Sequence, residues 1–190
     1  MSSLGRLIVF SAPSGSGKTT IVRQLLQDNA LNLSFSISAT SRAPRANERN
    51  TIDYFFLSPE EFRAKIDSGD FLEWEEVYPE HFYGTLLSHV NALREKGINV
   101  IFDVDVKGGL AIKKAFPQET LALFVMPPSI QELQRRLESR GTDAPEKISM
   151  RLAKAAQEIE QSDNFDHSLI NDDLTATVAQ AKTLIINHIN

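Results

Sequence analysis

One stretch of sequence decides the fold of this chain: Ala12-Pro13-Ser14-Gly15-Ser16-Gly17-Lys18-Thr19. It follows a short apolar run, residues 7–10, that is typical of a buried strand ending in a loop. Apolar residues at helical spacing after it predict a helix over residues 18–26. A loop of small residues between a buried strand and a helix, ending in Gly-Lys-Thr, is the Walker A pattern in the context that it requires.

The chemistry of this loop is phosphate binding. Small residues allow successive backbone N–H groups to converge on phosphate oxygens, and the following helix adds the positive end of its dipole. Lys18 is expected to reach the β- and γ-phosphates of ATP, and the Thr19 hydroxyl to bind Mg²⁺. Asp103 ends the apolar run 100–102 and is interpreted as a second ligand of that ion. The first glycine of the pattern is Ala12 here, which the loop tolerates if this residue has a negative φ.

Composition narrows the class of protein. The chain has 190 residues, a net charge of −5 and no cysteine. A length of this order suits one domain. The acidic balance argues against a broad nucleic-acid surface or an anionic membrane as the partner. Disulfides and thiolate metal sites are excluded. Because residues 1–10 lack the apolar run of a signal peptide or membrane span, we expect a cytoplasmic protein.

Apolar strands that alternate with helices predict an α/β fold, with a parallel sheet covered on both faces in three layers. We predict strands at 7–10, 35–40, 54–57, 71–77, 100–102, 121–125 and 168–170. We predict helices at 18–26, 86–96, 111–116, 129–139 and 146–161, a helix that begins after Ser58 with a capping box, and a C-terminal helix. Residues 38–85 break the alternation and indicate an inserted sub-domain with a small antiparallel or mixed sheet.

Arginine and tyrosine side chains in this insert suit a second phosphate. Arg42 and Arg45 can bind a phosphate through bidentate hydrogen bonds, and Tyr54 and Tyr83 can donate to it without adding charge. A kinase needs such groups, because its anionic donor and acceptor repel each other. A solvated basic loop is the alternative for either arginine taken alone.

Two carboxylates suggest how a base could be recognised. Glu73 and Asp105 could accept the N1–H and NH₂ donors of guanine, whereas adenine presents a lone pair at N1 that a carboxylate repels. Asp105 follows Asp103 by two residues, so both would share one face of a strand. Ser38 and Thr85 could add hydroxyls to the base edge. Glu73 could instead be a surface residue of an edge strand.

Over essentially its whole length the chain resembles guanylate kinase, through segments 11–20, 38–54, 72–74, 83–85, 103–108, 136–151 and 170–172. The resemblance implies a P-loop core at about 1–37, 86–127 and 158–190, a GMP-binding insert at about 38–85 and a helical lid at about 128–157. It implies that the GMP phosphate is held by Arg42, Arg45, Tyr54 and Tyr83, and that guanine is read by Ser38, Glu73, Thr85 and Asp105.

The resemblance also assigns the ATP side of the site. Thr20 joins residues 12–19 in the phosphate loop, and Asn171 matches a residue near the ATP base. The catalytic cations would be Lys18, Arg42, Arg136, Arg140 and Arg151, the last three closing from the lid. Arg136 and Arg140 are four residues apart and share a helix face. Without the resemblance, solvated arginines paired to Glu132 and Glu138 are an equal interpretation.

The reaction implied by the resemblance converts ATP and GMP to ADP and GDP with Mg²⁺, in a monomer or small homo-oligomer. Two alternatives stay open: a phosphopeptide-binding domain without catalysis, and a P-loop kinase for another phosphorylated acceptor such as a sugar phosphate. Two departures from the family pattern stand out. Thr51 replaces a usual glycine, and because β-branched residues tolerate positive φ poorly we expect a differently shaped turn. Lys107 replaces a usual glutamine.

Overall fold

The computed structural model describes residues 4–139, 141 and 144–190. The strands are β1 (Leu7–Ser11), β2 (Leu33–Phe35), β3 (Ala39–Thr40), β4 (Phe55–Phe56), β5 (Phe71–Tyr78), β6 (His81–Leu86), β7 (Asn99–Asp103), β8 (Thr120–Met126) and β9 (His167–Ile170). The α-helices are α1 (Lys18–Leu26), α2 (Pro59–Asp67), α3 (Leu87–Glu95), α4 (Val106–Ala115), α5 (Ile130–Ser139), α6 (Pro145–Ile159) and α7 (Leu174–Ile189).

A five-stranded parallel sheet forms the centre, in the order β2-β7-β1-β8-β9. Every residue of β1 is buried, with Ile8 and Phe10 on one face and Leu7 and Val9 on the other. Helices α1 and α7 pack on the first face, and α3 and α4 on the second. The predicted three-layer α/β core is therefore confirmed. Within the described residues, no helix combines the length and apolar character needed to cross a membrane.

A second sheet of four strands lies within residues 39–86, in the order β4-β3-β6-β5. It is mixed, because β3 and β4 run parallel while the other pairs are antiparallel. Phe62 of α2 is fully buried and stacks between Phe71 and Phe82. The predicted capping box is present: Ser58 accepts from the Glu61 N–H, and the Glu61 carboxylate accepts from the Ser58 N–H.

The single strand predicted at 35–40 is wrong, because the chain passes there from one sheet to the other. The Ser36 N–H donates to the carbonyl of Ile101 in the central sheet. Two residues later, the Ser38 carbonyl accepts from the Phe55 N–H of the second sheet. The alternation of polar and apolar residues continues through this crossing, so it could not reveal the break.

Two elements differ from prediction because glycines there serve close packing. Strand β6 was not predicted, since Gly84 weakens a strand pattern; a Cβ at Gly84 would lie 2.7 Å from the Glu73 carbonyl oxygen. Helix α4 begins at Val106 rather than 111 because Asp105 caps it, its side chain accepting from the Gly108 N–H at 2.8 Å. A Cβ at Gly109 would lie 2.5 Å from Ser11 Oγ, so glycine allows this helix to approach β1.

Candidate active site

The loop between β1 and α1 has the backbone that its sequence predicts. Gly15 and Gly17 have φ values of 102° and 93°, in the region that glycine adopts without strain. Ala12 is not among the residues with positive φ, and its side chain packs in the core. Alanine therefore fits at the first position of the pattern, as the sequence required.

Side chains from elements distant in sequence pack against this loop. A Cβ at Gly15 would lie 2.9 Å from Leu133 Cδ1 of α5. A Cβ at Gly17 would lie 2.3 Å from Asn171 Nδ2, and this buried amide donates to the Ser16 carbonyl at 2.7 Å. Asn171, which the resemblance places near the ATP base, thus supports the phosphate loop directly in this structure.

Asp103 lies between the two polar side chains that begin α1. Its Oδ1 is 2.7 Å from Lys18 Nζ, and its Oδ2 accepts from Thr19 Oγ1 at 2.7 Å. Lys18 Nζ also donates to the Val104 carbonyl at 2.6 Å. The hydroxyl and carboxylate are hard oxygen donors, which suit Mg²⁺ bound jointly by protein and phosphates. The described residues contain no cluster of three or more His, Asp or Glu side chains that could hold a metal ion.

A cavity of about 390 Å³ opens in front of the loop. It is bounded by Asp103 and Asp105 on one side and by Lys154 and Glu158 of α6 on another. The predicted loop residues that line it are Ala12, Pro13, Ser14, Gly15, Gly17, Lys18, Thr19 and Thr20. Ser16 is fully buried and contributes its backbone to the loop.

Arg42 is the centre of a hydrogen-bonded cluster beside the second sheet. Its Nη1 and Nη2 bind Glu48 at 2.6 and 2.7 Å, and its Nε donates to the Tyr83 hydroxyl at 3.0 Å. Its guanidinium lies over the ring of Tyr54, 5.0 Å from the centroid. The Arg45 N–H donates to the same carboxylate at 2.8 Å. The side chains of Arg42, Tyr54 and Tyr83 are therefore brought together, whereas Arg45 joins them through its backbone N–H and has an exposed side chain.

Glu48 belongs to this cluster, although it is not among the site residues predicted from the sequence. Its hydrogen bonds from Arg42 and from the Arg45 backbone lower its pKa to about 2, and Glu48 in turn raises the pKa of Arg42. Glu48 follows Arg45 by three residues and Arg42 by six, and this spacing was the signal in the sequence that an ion pair could form. The pair fixes the direction of the Arg42 guanidinium.

The turn that follows this cluster does not avoid positive φ. Thr51 has a φ of 65°, so the expectation that a β-branched residue would change the turn is wrong. Its N–H donates to the Tyr54 carbonyl at 2.7 Å and to Asn50 Oδ1 at 3.1 Å. These bonds hold a conformation that costs threonine free energy.

Glu73 and Thr85, which are both predicted to read the base, contact each other directly. They are cross-strand partners in β5 and β6, and Thr85 Oγ1 donates to Glu73 Oε1 at 2.5 Å. Burial, then the nearby charges of Asp105 and Glu75, raise the pKa of Glu73. Asp105 stands opposite, but the cap of α4 places it there rather than the alternation of a strand, because β7 ends at Asp103.

A second cavity, of about 230 Å³, is lined by five of the eight predicted acceptor residues, and Arg42, Arg45 and Thr85 are not among its lining residues. Its predicted members are Ser38, Tyr54, Glu73, Tyr83 and Asp105. Asp103, Val104 and Asp105 line this cavity and the cavity of the phosphate loop alike. The two cavities are therefore neighbours that share the segment following β7.

The described lid arginines, Arg136 and Arg151, do not line the cavity of the phosphate loop. Arg136 of α5 donates to Glu132 at 2.8 Å and to the Asn171 carbonyl at 3.0 Å. Arg151 lies on α6, three residues before Lys154. Arg140 lies outside the described residues. Among the described residues of α6, those that line the cavity of the phosphate loop are Lys154 and Glu158.

Comparison with known proteins gives consistent matches. A family model described as guanylate kinase matches residues 4–188. The chain is 54% identical to guanylate kinase of Bacteroides thetaiotaomicron, covering 98% of this chain and 91% of that protein. It is 52% identical to guanylate kinase of Porphyromonas gingivalis, covering 97% and 98%. The crystal structure of guanylate kinase from Anaplasma phagocytophilum matches with a TM-score of 0.74 at 28% identity, covering 97% of this chain and 86% of that chain.

Proposed function

Because this chain belongs to the guanylate kinase family, and so is a nucleoside monophosphate kinase, we propose that it transfers the γ-phosphoryl group of ATP to GMP. One observation supports a reaction between two bound nucleotides. The cavity of the phosphate loop and the cavity lined by Glu73 share Asp103, Val104 and Asp105. A donor phosphate in one cavity would therefore lie close to an acceptor phosphate in the other.

On the donor side, the loop N–H groups and Lys18 would bind the β- and γ-phosphates. Thr19 and Asp103 would hold Mg²⁺, which neutralises phosphate charge and fixes the geometry of the triphosphate. Lys18 already lies 2.7 Å from the Asp103 carboxylate, so the cation and the metal ligand are arranged together.

On the acceptor side, Arg42, Arg45, Tyr54 and Tyr83 would hold the GMP phosphate. The carboxyl oxygens of Glu73 and Asp105 would accept from guanine N1–H and NH₂, with Ser38 and Thr85 on the base edge. Thr85 fixes one oxygen of Glu73 by its hydrogen bond. AMP offers a lone pair at the same position, and a buried carboxylate facing it would be left without a donor.

The chemical step needs no general base. The second pKa of a phosphate monoester is about 6, so the acceptor oxygen is already largely anionic at neutral pH. That oxygen attacks the γ-phosphorus in line, and the bond from phosphorus to the oxygen shared with the β-phosphate breaks, leaving ADP and GDP. Lys18 and the arginines of the lid, about residues 128–157, would stabilise the charge that spreads over the transferring group. Closure of the lid and the insert would exclude water.

The test measures ADP release with ATP and Mg²⁺ against GMP, AMP, CMP and UMP in separate reactions. We expect turnover with GMP well above that with the other three monophosphates. Lys18→Ala serves as the matched control for contaminating kinases; it should lose most turnover while GMP binding, followed by calorimetry, persists. If GMP gives no more ADP than buffer, the proposal is wrong. Cytoplasmic location and a monomer or small homo-oligomer stay predictions from the sequence.

A further inference from the structure

Glu75 is a third carboxylate at the acceptor cavity that neither the resemblance nor the proposed reaction assigns. It lines this cavity together with Glu73 and Asp105. It also lines the two adjoining cavities, one beside α4 and one beside α6. A side chain that reaches three neighbouring cavities stands where they meet.

The strand register places Glu75 beside the region that joins base and phosphate. Glu73 and Glu75 are two residues apart in β5, so their side chains point to the same face, about 7 Å apart along the strand. Glu73 pairs across the sheet with Thr85, and Glu75 pairs with Tyr83. The first pair belongs to the base edge and Tyr83 to the phosphate. Glu75 therefore lies toward the phosphate end of the nucleotide, on the strand that carries the base reader.

The contacts of Glu75 within the protein are few and weak, and they leave its carboxylate able to bind a further donor. Its Oε1 is 3.6 Å from Lys107 Nζ, but the Lys107 side chain is 85% exposed, so this pair is weak. On the other side it faces Asp105, another acceptor. Burial and the contact with Asp105 raise the pKa of Glu75. Among the described residues, Glu75 therefore has two cations nearby, Lys107 and Lys154, one acidic neighbour in Asp105, and a side that lines the acceptor cavity.

A count of hydrogen-bond donors on GMP indicates what fills that side. GMP offers the guanine N1–H and NH₂ and the two vicinal ribose hydroxyls. In the proposed function Glu73 and Asp105 take the guanine donors. The phosphate is an acceptor and offers none at neutral pH. Only the ribose hydroxyls are left for a third carboxylate.

We propose, on the basis of the proposed function, that Glu75 accepts a hydrogen bond from a ribose hydroxyl of GMP and so makes this chain prefer the ribonucleotide to its deoxy analogues. A hydrogen bond to a charged group changes relative binding by about 10-fold or more. Because the contact is with the acceptor sugar, it is made in the ground state and the transition state alike. Its loss should therefore raise KM for GMP rather than lower kcat.

The experiment compares kcat/KM for GMP, 2′-deoxy-GMP and 3′-deoxy-GMP in the full chain and in Glu75→Ala. The two analogues distinguish which hydroxyl is bound. In the unmodified chain we expect at least one analogue to be used about 10-fold less well than GMP. In Glu75→Ala that gap should close to within about 3-fold, through a higher KM for GMP. Glu75→Gln, which retains a carbonyl acceptor, should give an intermediate gap and decides the matter if the alanine variant fails to fold.

Two control variants separate this contact from other roles of the region. Glu76→Gln alters the next residue of β5, whose side chain points to the opposite face, and should leave the gap unchanged. Lys107→Gln removes the ion pair but retains Glu75, and the gap should persist. A gap that is absent in the unmodified chain, or unchanged in Glu75→Ala, overturns the inference while GMP turnover still supports the proposed function. No turnover with GMP overturns both.

Discussion

Arg42 and Glu48 form a bidentate ion pair, with nitrogen–oxygen distances of 2.6 and 2.7 Å. Both side chains are largely buried, at 12% and 17% exposure. Because Arg42 also donates to Tyr83, its guanidinium is held by a carboxylate on one edge and a phenol on another. An arginine fixed in this way loses little side-chain entropy when it binds a phosphate.

Glu48→Ala should therefore raise KM for GMP by about 10-fold, with a smaller effect on KM for ATP. The physical reason is that Arg42 becomes free to adopt other rotamers and Arg45 loses its backbone acceptor. Steady-state kinetics with each substrate varied in turn would measure both constants. Glu95→Gln, at an exposed position of α3, is the control. A lower KM for GMP in Glu48→Ala would mean that Glu48 competes with the phosphate instead of orienting its ligand.

Glu73 should make the protein without nucleotide less stable at high pH. Burial raises its pKa above the ordinary value of 4.5, so the folded state binds this proton more tightly than the unfolded state. The stability from this group is present below the unfolded pKa and is lost as pH rises through the folded pKa. Glu73→Gln should raise the unfolding midpoint at pH 8 by about 3 °C, and the difference should shrink toward pH 5.

Thermal unfolding followed by circular dichroism from pH 5 to 8 tests this prediction, with Glu76→Gln as the solvated control. The same variant should reduce the preference for GMP over AMP, because a glutamine both donates and accepts. A Glu73→Gln protein that melts below the unmodified chain at pH 8 would show that the Thr85 hydrogen bond outweighs the burial of the charge.

Asn171→Asp should weaken ATP binding and leave GMP binding unchanged. The substitution turns the amide donor toward the Ser16 carbonyl into an acceptor, so two acceptors would face each other at 2.7 Å behind the phosphate loop. Titration calorimetry with a non-hydrolysable ATP analogue and with GMP would resolve the two sites. Asn187→Asp, exposed on α7, controls for the added charge. Equal losses for both nucleotides would indicate a general loss of structure.

Thr51→Gly should stabilise the protein by about 1 kcal/mol, since it removes a β-branched Cβ from a backbone with φ of 65°. The greater entropy of glycine in the unfolded chain offsets part of this gain. Urea unfolding would measure it. Thr51→Ala retains a Cβ and is the matched control, with an expected gain smaller than that of glycine. A destabilised Thr51→Gly would show that the threonine side chain makes a compensating contact.

The features that sequence predicted well are those whose signals are local. Residues 12–19 carry their own strand, loop and helix signals, and the capping box of α2 lies within four residues. The central strands are recognisable in the sequence as continuous apolar runs, because both of their faces are buried. The base-reading and phosphate-binding residues required the family resemblance, since each is an ordinary polar residue until the insert folds.

The features that sequence missed depend on contacts between distant segments. Gly84 and Gly109 resemble breakers in sequence, yet each allows another chain segment to approach closely. Asp105 lines the same cavity as Glu73, but a helix cap and not the predicted strand alternation directs it there. The spacing of Glu48 from Arg42 and Arg45 is a weak signal in sequence, and the ion pair with Arg42 becomes evident only in the folded insert.

The packing behind the phosphate loop affects how its sequence should be interpreted in relatives. Gly15 and Gly17 have φ values of 102° and 93°, and the side chains of Leu133 and Asn171 lie against them, so the fold of the loop favours glycine at both positions whether or not a nucleotide is turned over. A descendant that lost catalysis but retained the fold would still be under selection to retain them. The glycines of this loop therefore report on its shape, while under the proposed function Lys18 and Thr19 are the positions whose loss would mark a chain that no longer transfers phosphate.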